Sequence, residues 1–79
     1  MMILRDKGLS ENLLRLRKAK GLSQYELVAE MQLLGSNMSR STYAKIELGE
    51  RNIKATDLVA LQQIYGVVYE EFFKGIEIV

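Results

Sequence analysis

The stretch GLSQYEL at residues 21–27 marks a helix start more sharply than any other in the chain. Ser23 offers a hydroxyl to one free backbone N–H. Glu26, three residues on, offers a carboxylate to another, which completes a capping box. Leu22 and Leu27 stand at the two ends of the hydrophobic staple that accompanies such a start. Beyond the cap, Leu27, Met31 and Leu34 recur at i, i+4 and i+7, which predicts a helix with one apolar stripe facing a core. Gly35 is the expected stop, with a short loop at Ser36 and Asn37.

Working outward, the chain reads as further short helices separated by glycines, with no proline anywhere. Upstream, Ser10 is the expected N-cap of a first helix, with Glu11 suited to the positive end of its dipole. Leu9 and Leu14 form its staple, Leu13 and Leu16 continue the apolar face, and Gly21 closes it beside Lys18 and Lys20. Downstream, Ser39 begins a third helix with Met38 and Tyr43 as staple, Tyr43 and Ile46 inward, and Gly49 as stop. Glu50, Arg51 and Asn52 form a polar link. Leu58, Leu61, Ile64 and Tyr65 make the stripe of a fourth helix ended by Gly66. Tyr69 to Phe73 add one or two turns. Met2-Ile3-Leu4 and the alternating Ile76-Glu77-Ile78-Val79 are expected to be extended. The class predicted is all-α.

The 79 residues leave space for one domain, read as spanning 1–79 with its core at about 9–73. There is no Cys and no His. Disulfides, thiolate metal sites, a Cys nucleophile and a Ser-His-Asp triad are thereby excluded, and neither an enzyme nor a cofactor or metal is expected. No apolar run is long enough for a membrane span, no signal peptide is visible, and the lack of Cys fits a reducing cytoplasm. Lys plus Arg is 11 and Asp plus Glu is 10, a net of +1. The balance is uneven. Residues 1–40 carry +3, with Arg15, Arg17, Lys18 and Lys20 crowded together, and residues 41–79 carry −2. Such a split suits a basic face for phosphates with the acidic end turned away.

The third helix carries the chemistry. Its first turn is Arg40, Ser41 and Thr42, and Lys45 follows about one turn later. Arg40, Ser41 and Lys45 share an outer edge opposite Tyr43 and Ile46. Arg grips guanine O6 and N7 with two hydrogen bonds, and Ser bonds base edges or phosphates. A short helix with a buried inner face and this outer edge suits the major groove of DNA.

Three stretches, LRKAKGLSQYEL (16–27), MSRSTYAKIELGERN (38–52) and LVALQQIYGVVYEEFF (58–73), occur in the order found in one family. From Leu13 to Phe73 the chain resembles the lambda-repressor-like (Cro/repressor, XRE-type) helix-turn-helix family. The first stretch looks like the end of the family's helix 1 and its Gly-Leu-Ser-Gln start of helix 2. The second resembles the recognition helix with its Ile-Glu-x-Gly ending. The third resembles helix 4, the Gly-Val turn and the beginning of helix 5. The resemblance implies a five-helix domain that binds double-stranded DNA. It implies base contacts from Arg40, Ser41 and Lys45, and phosphate contacts from Gln24, Thr42, Arg51 and Asn52. It also implies a buried ion pair between Arg17 and Glu47.

Three departures from the family pattern stand out, one of them Val28, with Ala29 following, where the family usually has a small residue just after the matched Leu27. Leu27 and Ile46 are further apart than is common, with the extra residues around Met31 to Asn37, so a longer helix 2 to helix 3 connection is expected. Val68 stands where helix 5 usually has a polar cap. The function expected is a sequence-specific transcriptional regulator, a repressor or phage-like switch protein. It would act as a homodimer on an inverted repeat, since two-fold operators mirror two-fold proteins. Tyr69, Phe72, Phe73 and the apolar ends, including Ile76, Ile78 and Val79, are expected either to form the dimer surface or, for Phe72 and Phe73, to close the core with the tail disordered. No small-molecule effector is expected. The alternative is a protein-interaction module of the same fold, antitoxin-like, with little DNA binding.

Overall fold

The computed structural model describes residues 2–3 and 7–77. Four α-helices dominate: α1 (Lys7–Lys20), α2 (Gln24–Leu33), α3 (Arg40–Glu47) and α4 (Ala55–Tyr65). A short antiparallel ribbon joins β1 (Met2–Ile3) to β2 (Ile53–Lys54), with Met2 opposite Lys54 and Ile3 opposite Ile53. A 3₁₀ turn, Tyr69–Phe72, closes the chain where a fifth helix was expected. Its leading residue, Val68, makes no side-chain cap bond. Leu4, Ile78 and Val79, expected to be extended, lie outside the described residues; Ile76 and Glu77 are irregular.

The capping box of α2 is complete. Ser23 Oγ accepts from the Glu26 amide at 3.0 Å, and the Ser23 amide donates to Glu26 Oε1 at 2.9 Å. These bonds hold the Glu26 carboxyl below its ordinary range. Leu27, Val28 and Met31 are buried. Leu34 is not part of the stripe: it is 50% exposed, and α2 has ended before it. The reason is Gly35, whose φ of 97° lets the Ser36 amide fold back to the Met31 carbonyl at 3.1 Å and stop the helix early.

The first helix starts earlier than Ser10. Leu9, Leu13 and Leu16 are all buried at i, i+4 and i+7. Burying Leu9 on the stripe draws the preceding turn into the helix, and Ser10 becomes a buried interior residue rather than a cap. Gly21 ends the helix as expected, with the Leu22 amide bonded to the Arg17 carbonyl at 3.2 Å.

One hydrophobic core lies between the helices. Tyr43 and Ile46 of α3 meet Leu13 and Leu16 of α1, Leu27 and Met31 of α2, and Leu58, Leu61 and Tyr65 of α4. Ile53 of β2 is buried among them, so the polar link after α3 is anchored within a few residues. Phe72 is fully buried and belongs to this core, which decides between its two expected places. Asn12 Nδ2 donates to the Phe72 and Lys74 carbonyls, both at 2.9 Å, and ties the terminal turn to α1. Among the described residues no helix is long and apolar enough to cross a membrane.

Candidate nucleic-acid interface

Recognition by a helix requires one face held by the protein and the other left open. In α3 the inner face is Tyr43 and Ile46, both buried, and Arg40, Ser41 and Lys45 are exposed. At 3.6 residues per turn, Ser41 and Lys45 project within about 40° of each other and away from the buried pair. Arg40 is the first residue of the helix, where its long side chain reaches past the end.

Ser39 caps α3. Its Oγ accepts from the Thr42 amide at 3.2 Å, donates to Thr42 Oγ1 at 2.9 Å and lies 3.3 Å from Ser41 Oγ. Three hydroxyls therefore crowd the helix start beside Arg40. Sequence reading found Ser39 as a cap and overlooked this cluster, although three hydroxyl residues in four positions was the signal.

Gln24, Thr42, Arg51 and Asn52 do not form one cluster. Thr42, Arg51 and Asn52 line a groove of about 380 Å³ that runs between residues 34–38 and the start of α4. Asn37, Lys54 and Thr56 line it too, and Met38, Ile46 and Ala60 supply apolar surface. Asn37 and Lys54 escaped the sequence reading because nothing local marks them. Gln24 stands apart, at the start of α2, where its Nε2 donates to Glu47 Oε1 at 3.0 Å. An amide nitrogen carries two protons, so one N–H of Gln24 is still available.

Glu47 is the hub behind α3. Arg17 Nε donates to its Oε2 at 2.8 Å, and Arg17 Nη2 donates to its Oε1 at 3.1 Å. The side chains are only 12% and 4% exposed. Arg17 Nη1 also donates to the Leu22 carbonyl at 2.8 Å, so the guanidinium spans α1, the turn before α2 and the end of α3. Burial pushes the Glu47 carboxyl up, but hydrogen bonds from Arg17 and Gln24 outweigh it and hold the group below the ordinary glutamate range. The bond that Arg17 donates to Glu47 also raises Arg17 above its ordinary value. Tyr43 and Tyr65 place buried hydroxyls beside this pair. Neither makes a well-formed hydrogen bond among the described residues, and burial raises both phenols well above the ordinary value.

The arrangement offers hydrogen-bond donors and positive charge on one open helix face, with a groove beside it whose lining also includes Ser36 and the Asp57 carboxylate. Among the described residues no acidic cluster is placed to hold a metal ion. A family model described as helix-turn-helix matches residues 13–72 of the chain. Neither a curated protein nor a solved structure matches it.

Proposed function

The chain belongs to the lambda-repressor-like (XRE-type) helix-turn-helix family of DNA-binding regulators, and from that premise we propose a repressor or phage-like switch protein that binds an inverted repeat in duplex DNA as a homodimer. The observation that carries this reading is α3: its inner face is locked into the core, and Arg40, Ser41 and Lys45 stand open on the outer face. In this reading α3 enters the major groove. Arg40 reads a guanine edge with two hydrogen bonds, and Ser41 and Lys45 meet neighbouring bases. Gln24, through its second N–H, and Thr42, Arg51 and Asn52 hold phosphates on either side. Phosphate contacts set the register and base contacts set the sequence. The Arg17–Glu47 pair fixes the end of α3 so that these contacts are presented in one geometry.

The terminal 3₁₀ turn is read as the counterpart of the family's fifth helix, and residues 34–39 as a longer connection than the family commonly has. Val68, Tyr69, Phe73 and Ile76 are exposed apolar groups on and around that turn. They are the dimer surface of this reading, held in place by Asn12 and by Arg15, which bonds the Glu71 carbonyl at 3.0 Å. A second reading, a protein-interaction module with little DNA binding, draws on Leu33, an apolar side chain 87% exposed at the end of α2. Salt separates the two, because binding through several phosphates weakens steeply as salt rises.

The deciding experiment is selection of bound sequences from a random duplex pool, repeated with Arg40→Ala. The expected result is a two-fold symmetric motif that blurs at one position per half-site in the variant. Recovery of no motif by the wild-type protein overturns the reading.

A further inference from the structure

Residues 34–39 carry the chain from α2 into α3, and one residue in them, Ser36, makes contacts in three directions. The Ser36 amide donates to the Met31 carbonyl at the end of α2, 3.1 Å away. Its Oγ donates to Asp57 Oδ1, in the first turn of α4, at 3.1 Å. The same Oγ accepts from the Met38 amide at 3.0 Å. Gln32 Nε2 then takes the Met38 carbonyl at 2.8 Å. Both backbone polar groups of Met38 are thus held by side chains outside α3, and the Met38 side chain is buried. Arg40, the first residue of α3, follows two positions later.

The other end of α3 is fixed by Glu47. The helix has eight residues, so at 1.5 Å per residue it is about 12 Å long. A tilt of about 10° pivoting on the Glu47 end would move the Arg40 end by about 2 Å, far outside the narrow distance range of an N–H···O bond. The aim of the base-reading end therefore depends on what holds the connection.

We infer that Ser36, itself held by Asp57, is a positioning residue for sequence recognition: it sets the angle at which α3 presents Arg40 and Ser41 to the bases. This rests on the DNA-binding reading above. Ser36 touches no DNA in this account; it acts through the backbone of Met38.

The test compares Ser36→Ala, Asp57→Ala and Asp57→Asn with the wild type. Each is titrated against the selected duplex and against a scrambled duplex of equal length, and thermal melting is followed in parallel. The readout is the ratio of the two affinities. That ratio cancels the general gain in DNA affinity from removing the Asp57 charge, which acts on both duplexes alike. Ser36→Ala and Asp57→Ala are expected to lower the ratio roughly tenfold, the size of one misaligned base contact. Asp57→Asn keeps an oxygen to accept from Ser36 and is expected to keep the wild-type ratio. A wild-type ratio in both alanine variants, or equal loss on both duplexes, overturns the inference. Should Ser36→Ala fail to fold, Asp57→Ala decides, since it breaks the same bond from outside the connection. If the wild type binds neither duplex, the DNA-binding reading fails first and takes this inference with it.

Discussion

Arg17 and Glu47, thirty residues apart in sequence, meet at two points, Nε to Oε2 at 2.8 Å and Nη2 to Oε1 at 3.1 Å. The contact joins α1 to the end of α3 in a nearly dry site. Removing one member of such a pair leaves the other charged and buried, at a cost of about 3–5 kcal/mol. Because Arg17 keeps its bond to the Leu22 carbonyl, the lower end of that range is expected for Glu47→Ala. In a domain of this size each kcal/mol shifts the melting temperature by about 4–8 °C, so a drop of at least roughly 10 °C should appear in a thermal melt. An unchanged melting temperature would show that the pair does not hold the fold.

The same carboxylate gives the fold a pH dependence of known sign. Its folded value lies below the ordinary glutamate value of 4.5, so the folded state favours the charged form. Its contribution is complete above that ordinary value and fades as pH falls below it through the depressed folded value. Glu47→Gln lacks this contribution at every pH. Melting temperatures of the two proteins should therefore differ most near neutrality and draw together as pH falls below that ordinary value. A constant gap from pH 7 down to pH 3 would contradict the assignment.

Asn12 offers a test of the terminal turn. Its amide nitrogen serves two carbonyls, Phe72 and Lys74, and the Phe72 bond is buried. Asn12→Ala leaves the Phe72 carbonyl without that donor, which should cost about 1–3 kcal/mol in urea unfolding. Amide exchange should speed up in residues 69–76 before it does in α2 or α3. A change within about 0.5 kcal/mol, with exchange unaltered, would mean that the turn is held by Phe72 packing alone.

What was legible in the sequence was what short-range chemistry decides. Ser23 with Glu26, the helix start at Ser39, and the glycines at 21, 49 and 66 act within one or two turns, and all were read in place. Ser10 misled because its capping preference is local, whereas the burial of Leu9 that overrode it is tertiary. Leu34 fitted the helical period, but the reversal at Gly35 ended the helix first. Met2 and Ile3 were legible as extended, but their pairing was not, since two-residue strands have no periodicity and Ile3 finds Ile53 only in the folded chain. Asn12 carried a signal that went unread: a polar residue among Leu9, Leu13 and Leu16 has to be satisfied by something. The outer edge of α3 was legible as exposure, but the bond from Gln24 to Glu47 spans 23 residues and no pattern announces it.

The proposed dimer surface predicts a mass. Val68, Tyr69, Phe73 and Ile76 are exposed apolar side chains gathered at one end of the chain. Sedimentation equilibrium at tens of micromolar should find a dimer, and Phe73→Glu should shift it to monomer without lowering the unfolding free energy of the isolated chain. A wild-type mass that stays monomeric across that range would exclude a stable dimer in free solution.

Arg40 and Arg51 are expected to fail in different ways, and the difference tests how the interface divides its work. Arg51 lies on the groove beside α3 and is assigned to a phosphate. Its loss should weaken binding to every duplex by a similar factor and lower the slope of log affinity against log salt by about 1. The selected motif should stay the same. Arg40 is assigned to a base edge at the open end of α3. Its loss should cost about 1–3 kcal/mol on the preferred sequence and relax the choice at one position. Binding to scrambled duplex should fall far less than binding to the preferred sequence. Titrations of both variants at three salt concentrations, on selected and scrambled duplexes, give the affinities and salt slopes, and repeating the selection with each variant gives the motif. If Arg51→Ala changed the motif, or Arg40→Ala weakened both duplexes equally, the two roles would be reversed and α3 would have to dock with its other end in the groove.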